Sequence, residues 1–186
     1  WHTALVPALV REQRLPFRTV LTLHNAACQG SFPASDFALT NLPPHWMTPA
    51  GFEFYGSLNL LKGGILAADA VTTVSSVYRR ELLTAHGGAG LHEVLGSRGE
   101  AFHAVPNGVD PERWNPAPLF SVEAPEGKGE CRKALLLQTG LSPNPEGPVF
   151  AMFGRLADQK GLDVLLPLLP RLFADDVRLV IAGDGE

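Results

Sequence analysis

The stretch Pro148–Ala182, PVFAMFGRLADQKGLDVLLPLLPRLFADDVRLVIA, decides the fold. Pro148 to Phe153 is a short apolar run of the kind that forms a strand buried on both faces, and Val177 to Ala182 (VRLVIA) is a second strand candidate. Between them Leu162 to Phe173 spaces its apolar residues as an amphipathic helix does, although Pro167 and Pro170 remove backbone donors and should kink or shorten it. Strand, turn, helix, strand is a βαβ unit, and such a unit makes its two strands parallel neighbours.

The same rhythm runs back towards the N-terminus. Arg18 to Leu23 (RTVLTL) and Ala70 to Val74 (AVTTV) read as strands that end in polar turns, His24-Asn25 and Ser75-Ser76. Thr3 to Arg14 reads as a helix with Pro7 in or near its first turn, and Leu58 to Ala68 as a second. Tyr78 to Thr84 reads as a third, with Ser75 or Ser76 placed to cap it. Ala101 to Val105 is a further strand candidate, followed by a turn signal at Pro106-Asn107-Gly108-Val109-Asp110. Asn115 to Lys128 holds three prolines and little periodicity and reads as a connection, after which Glu130 to Thr139 is a short helix. Helices alternating with β-rich runs predict an α/β layer architecture with parallel sheets.

Bulk properties narrow the function. The 186 residues are 45% hydrophobic and 18% charged, with a mean hydropathy of +0.06, which is the composition of a folded globular protein. A formal net charge of -4 and the lack of a basic cluster argue against a nucleic-acid partner. No apolar stretch approaches the roughly 20 residues of a membrane span, so no membrane partner is expected. Cys28 and Cys131 have neither CxxC nor metal-ligand spacing, which points to a reducing compartment and away from zinc. The chain opens at Trp1-His2-Thr3 without Met and stops at Gly185-Glu186 after a strand, so both ends read as cuts in a longer chain.

In an open parallel sheet, ligands bind beyond the carboxyl ends of the strands. That rule ranks the polar residues. Phe153-Gly154-Arg155-Leu156-Ala157-Asp158-Gln159-Lys160-Gly161 places two cations on one strand-to-helix turn, where Arg155 could donate a bidentate pair to phosphate oxygens and Lys160 could add a compact charge. Such a pair suits a pyrophosphate, and it is equally what a solvated surface turn looks like. His24 and Asn25, with Gln29-Gly30 in the same loop, form a polar group that could hold sugar hydroxyls or could merely turn the chain. His2 is open in the same way. Gly87-Gly88-Ala89-Gly90 reads as a mobile loop, and Lys62-Gly63-Gly64 lacks the spacing and the preceding strand of a nucleotide-triphosphate loop.

Along nearly its whole length the chain resembles bacterial glycogen synthases and plant starch synthases. The motifs are Trp1-His2-Thr3-Ala4-Leu5, Thr22-Leu23-His24-Asn25, Gln29-Gly30, Phe52-Glu53-Phe54-Tyr55-Gly56, Leu61-Lys62-Gly63-Gly64-Ile65, Ala68-Asp69 and Thr72-Thr73-Val74-Ser75. Gly90-Leu91, Asn107-Gly108-Val109-Asp110, Trp114-Asn115-Pro116, and Gly154-Arg155-Leu156 with Gln159-Lys160-Gly161 continue the series in family order. The segment 51–65 looks more like the bacterial members.

The resemblance implies a GT-B fold of two Rossmann-like domains, only partly present. Residues 1–106 would be the later part of the N-terminal Rossmann-like domain, 107–147 a hinge and linker, and 148–186 the start of the C-terminal one. It implies glucose transfer from ADP-glucose, or UDP-glucose, to an α-1,4-glucan acceptor, with retention of configuration and neither metal nor other cofactor. Arg155 and Lys160 would bind the donor diphosphate with Gly154 beside them, and His24 would contact the transferred glucose. Trp1, His2, Asn25, Gln29 and Asn107 would line the sugar and acceptor side. The location implied is the cytoplasm, or a plastid in a photosynthetic eukaryote. Ser76 and His92-Glu93 depart from the family pattern, and the family's Lys-Thr-Gly-Gly-Leu loop and C-terminal glutamate motif lie outside these residues. Two other readings compete: another GT-B nucleotide-sugar enzyme, and a non-catalytic glucan-binding relative. Retained cations at 155 and 160 count against a pure binder.

Overall fold

The computed structural model describes residues 1–115, 127–143 and 147–185. The expected connection from Asn115 to Lys128 therefore lies mostly outside the described residues, as do Pro116 and Glu186. The chain forms two compact units, Trp1–Val109 and Asp110–Glu186.

Unit 1 opens with α1 (Val6–Glu12), where Pro7 sits in the first turn as anticipated. Its elements then run β1 (Val20–Leu23), β2 (Ser31–Pro33), β3 (Glu53–Phe54), β4 (Ser57–Asn59), α2 (Leu60–Ala67), β5 (Ala70–Thr73), α3 (Ser76–Leu82), α4 (His92–Gly96) and β6 (Phe102–Ala104). Strands β1, β5 and β6 form a parallel sheet in that order, with Leu21 opposite Val71 and Val71 opposite Phe102. Leu21, Leu23, Val71, Thr73 and Phe102 point to one buried face, while Val20, Thr22 and His103 alternate to the other and are exposed. Strands β2, β4 and β3 form a small antiparallel sheet that the sequence reading did not foresee. The first residues of the expected helix from Leu58 are instead β4. Asn59 ends that strand in an extended conformation and caps α2 by accepting from the Lys62 N–H at 2.9 Å.

The core joins Ala4 and Ala8 of the N-terminal segment to Phe52, Leu61 and Ile65, and these to Leu82, Leu91, Leu95 and the sheet. Gly63 and Gly64 let α2 come this close. A β-carbon at Gly63 would stand 2.1 Å from the fully buried Phe52 ring, and one at Gly64 would stand 2.5 Å from the Ala4 carbonyl oxygen. Lys62, 3% exposed, runs beneath the segment from Pro49 to Glu53 and donates to the Pro49 carbonyl and, at 2.7 Å, to that of Glu53. Burial lowers the pKa of its ammonium, and the nearby Glu53 carboxylate works in the opposite direction. It is a buried strut and not part of a phosphate loop.

Two loops differ from expectation. The glycine-rich segment 87–90 is packed: Gly87 and Gly88 lie against the backbone of Glu81, Leu82 and Thr84, and the Ala89 carbonyl accepts from Gln29 at 2.6 Å. The turn expected at Pro106–Asp110 forms later, where the Asp110 carboxylate accepts from the N–H groups of Glu112 and Arg113 at 3.0 and 3.2 Å. Residues 105–110 themselves form no regular element, with the Val105 N–H donating to the Thr73 carbonyl. Ser75 does cap α3, accepting from the N–H groups of Val77 and Tyr78.

Asp69 pins the start of the parallel sheet. It accepts from the backbone N–H of Thr19 at 2.7 Å, from the Thr19 hydroxyl at 3.0 Å and from Arg18 at 3.3 Å. These bonds, the backbone one first, hold its carboxyl below the ordinary carboxylate pKa. A depressed folded value contributes stability that is present above the unfolded value of about 3.9 and is lost as pH falls through the folded one. Melting temperatures of wild type and Asp69→Asn should therefore differ at pH 7 and converge below about pH 4. A gap that stays constant with pH would remove this role.

Unit 2 contains α5 (Gly127–Gln138), β7 (Val149–Phe153), α6 (Leu162–Leu165), α7 (Leu169–Ala174) and β8 (Arg178–Ala182). Helix α5 includes the three residues before the expected Glu130 and is followed by Gly140 in a left-handed conformation. Strands β7 and β8 pair in parallel, Val149 with Arg178 through Phe153 with Ala182, as a βαβ unit requires. The prolines break the intervening helix as expected: Leu166–Leu168 is a 3₁₀ turn separating α6 from α7.

Candidate active site

Because β1, β5 and β6 are parallel, their carboxyl ends share one rim of unit 1. His24 and Asn25 leave the end of β1 on that rim, and Asn107 lies in the segment that leaves β6. All three are exposed. Asn25 does turn the chain, for its side-chain oxygen accepts from the Ala27 N–H at 2.9 Å. His24 also lines a groove of about 680 Å³ that runs between the open edge of β1 and Thr3, Val6 and Val10.

Trp1 and His2 stack with ring centroids 3.8 Å apart, and Phe32 meets the Trp1 ring edge-on at 5.3 Å. The indole lies on Gly30, whose φ of +64° and lack of a side chain leave it room. Trp1, with Leu5, Phe32, Asp36, Leu39 and Leu58, lines a mainly apolar cavity of about 280 Å³. Gln29 is held at both ends of its amide: it donates to the Ala89 carbonyl, and its own oxygen accepts from Asn59 at 2.6 Å. Trp1, His2 and Gln29–Gly30 thus form one cluster, in which Gln29 builds the wall.

The sequence reading passed over the residues that position this loop. Asn59 is buried and ties Gln29 and Ser31 to the start of α2. The Tyr78 hydroxyl accepts from the buried Ala26 N–H at 3.0 Å and so fixes the backbone just after His24. A cap position before Lys62 was a usable local signal for Asn59. The Tyr78 contact spans 52 residues and has no local signature.

In unit 2, Gly154, Arg155 and Lys160 occupy one loop at the carboxyl end of β7. Gly154 has φ +132°, and a β-carbon there would sit 3.8 Å from the Lys160 side chain. The loop is braced by the Leu156 N–H donating to Asp184 at 2.8 Å, by Ala157 donating to Arg155 and by Lys160 donating to Ala157. Gly183 approaches so closely that a side chain there would strike the Gly154 carbonyl. Both cations are exposed, and among the described residues neither side chain has a hydrogen-bond or ion-pair partner to shed before it meets an anion. Among the described residues no three His, Cys, Asp or Glu side chains converge as metal ligands would, and no helix is long and apolar enough to cross a membrane.

A sequence model of the starch synthase catalytic domain matches residues 1–97, more than half of the chain. The chain belongs to that family. Glycogen synthase 2 of Geobacter sulfurreducens is 43% identical over all of the chain, and the glycogen synthase of Alkalilimnicola ehrlichii is 41% identical. The chain spans 41% of the length of each of these relatives. Among solved structures it is similar to the catalytic domain of starch synthase IV from Arabidopsis thaliana bound to ADP and acarbose. That match has 31% identity and a TM-score of 0.86, and it covers all of this chain and 41% of the other. The GT-B fold anticipated from the sequence is thereby shown for this starch synthase family member.

Proposed function

We propose that the protein carrying this chain at full length is a glycogen synthase, transferring glucose from ADP-glucose to the non-reducing end of an α-1,4-glucan with retention of configuration. The observation that carries the reading is the braced loop after β7, which holds two exposed cations, Arg155 and Lys160, beside a glycine. A departing nucleoside diphosphate needs that neutralisation, and fixed cations supply it without reorganising at the moment of reaction. Gly154, with no side chain, leaves space for the phosphates to approach.

On this reading the two units are parts of two Rossmann-like domains, with boundaries near residues 106 and 148. His24 orients the transferred glucose, and Asn25 and Asn107 offer hydrogen bonds to sugar hydroxyls from the same rim. Trp1 and His2 supply a stacked aromatic surface for a sugar face, while Gln29 holds the adjoining loop in shape. The bacterial relatives are named glycogen synthases and the plant neighbour holds ADP, which together favour ADP-glucose over UDP-glucose and a cytoplasmic enzyme.

The test is transfer of labelled glucose from ADP-glucose and from UDP-glucose to glycogen by the full-length protein. Transfer from neither donor would end the proposal. A second measurement addresses His24: its alanine variant should lose about 10²-fold in kcat, the scale of a misplaced reacting group. Donor affinity should change much less, because the diphosphate contacts remain. A change confined to the donor KM would contradict the role given to His24.

A further inference from the structure

Strands β3 and β4 are joined by two residues, Tyr55 and Gly56, whose φ values of +50° and +80° are both left-handed. A two-residue hairpin of this hand wants Asn-Gly or Gly-Gly, because a β-carbon with a bulky ring is strained at positive φ. Tyr55 is nonetheless there, and its side chain is 87% exposed. Neither turn chemistry nor core burial accounts for the ring.

The turn that carries it is held at several points. The Phe54 ring lies 4.6 Å away, tilted by 59°, and is itself half-buried. The Glu53 carboxylate accepts from the Gly56 N–H at 2.8 Å and closes the turn. The buried Lys62 ammonium fixes the carbonyls of Pro49 and Glu53 underneath. Between Tyr55, Phe54, Glu53, Pro49 and Val94 is a groove of about 350 Å³ with Lys62 at its base, within the range of small-molecule sites. An aromatic face beside a carboxylate is matched to a pyranose, which has an apolar C–H face and a rim of hydroxyl donors. The hairpin belongs to the antiparallel sheet, which also carries Phe32 of the Trp1 cluster, and not to the parallel sheet whose rim carries His24, Asn25 and Asn107.

We propose that Tyr55 and Glu53 form a second glucan-contact site, which holds a chain of the polymeric acceptor while another chain end is extended. This rests on the α-glucan reading above. The ring is kept at a strained, exposed position because the sugar contact needs it there, so stability and affinity should move in opposite directions on substitution.

The test uses the full-length protein, with Tyr55→Asn and Tyr55→Trp, in native gels containing glycogen and in thermal melts. Tyr55→Asn should melt at or above the wild-type temperature, since Asn suits the turn, and should bind glycogen about 3- to 10-fold more weakly, the scale of a lost aromatic contact. Tyr55→Trp should restore binding. The KM for glycogen should rise more in Tyr55→Asn than the KM for a short maltooligosaccharide. Wild-type glycogen affinity in Tyr55→Asn would overturn the proposal, as would equal rises in both KM values, which would place Tyr55 in the transfer site. Loss of self-association in place of glycogen affinity would overturn it in favour of a second copy of the chain as partner. Tyr55-dependent retention on glycogen without any glucose transfer would keep the site and remove the transferase reading.

Discussion

Replacing Lys160 by alanine in the full-length protein is expected to lower kcat by about 10²- to 10³-fold, the loss associated with one preorganised contact to developing charge. Lys160 stands on the same braced loop as Arg155, with its N–H tied to Ala157 and its side chain beside Gly154. On the proposed donor role, its ammonium would meet more negative charge in the transition state than in the bound donor, so its loss would fall on turnover more than on affinity. Arg155→Ala should behave alike. The double variant should lose less than the product of the two, because on that role both cations would face one group. Lys160→Arg should recover activity only in part, since a planar fork does not replace a compact charge. The check is kcat at saturating donor, and activity of Lys160→Ala within a few-fold of wild type would remove the residue from the donor site.

The second large effect concerns stability. Gly63→Ala and Gly64→Ala should each destabilise unit 1 by about 3 kcal/mol, at the upper end of overpacking in a well-filled core. Helix propensity argues the other way, for alanine in a helix interior is favoured over glycine by about 1 kcal/mol. Packing decides, because the new methyl would meet the fully buried Phe52 ring at 2.1 Å or the Ala4 carbonyl at 2.5 Å. The Ala4 carbonyl is backbone and cannot swing aside. Melting temperatures should fall by roughly 10–20 °C for a unit of this size. A rise in either variant would mean that propensity outweighs contact here and that α1 and α2 do not pack as described.

What was legible in the sequence follows from the length of each pattern. The runs around Val20–Leu23, Ala70–Thr73, Val149–Phe153 and Arg178–Ala182 are long enough for β-rich character to show, and the prolines at 167 and 170 announce the broken helix between the last two. Strands β2, β3 and β4 have two or three residues each, too few for any alternation to register. The strand-end rule pointed to His24 and Asn25 and to the loop of Arg155 and Lys160, because parallel pairing follows from the βαβ rhythm alone, whereas Asn107 entered only through the family resemblance. Gln29 shows where that approach stops. Its amide looks available for a ligand until Asn59 and Ala89, 30 and 60 residues along, are seen to hold it. The packed loop 87–90 has the same cause, since Gly87 and Gly88 serve close approach to Glu81 and Thr84, while Gly90 takes a left-handed φ of +84°.

The pairing of β1 with β5 also governs how unit 1 comes into being on the ribosome. Thr22 meets Thr72 across 50 residues of chain, and among the described residues β5 is the strand that pairs with β1. At about 5–20 residues per second, β1 is synthesised roughly 3–10 s before β5. Throughout that interval Leu21 and Leu23, destined to be 7% and 2% exposed, wait for the β5 side of their sheet. The segment from Val20 to Leu23 is therefore a place where a nascent-chain holdase should bind, and its release should coincide with the emergence of Val71.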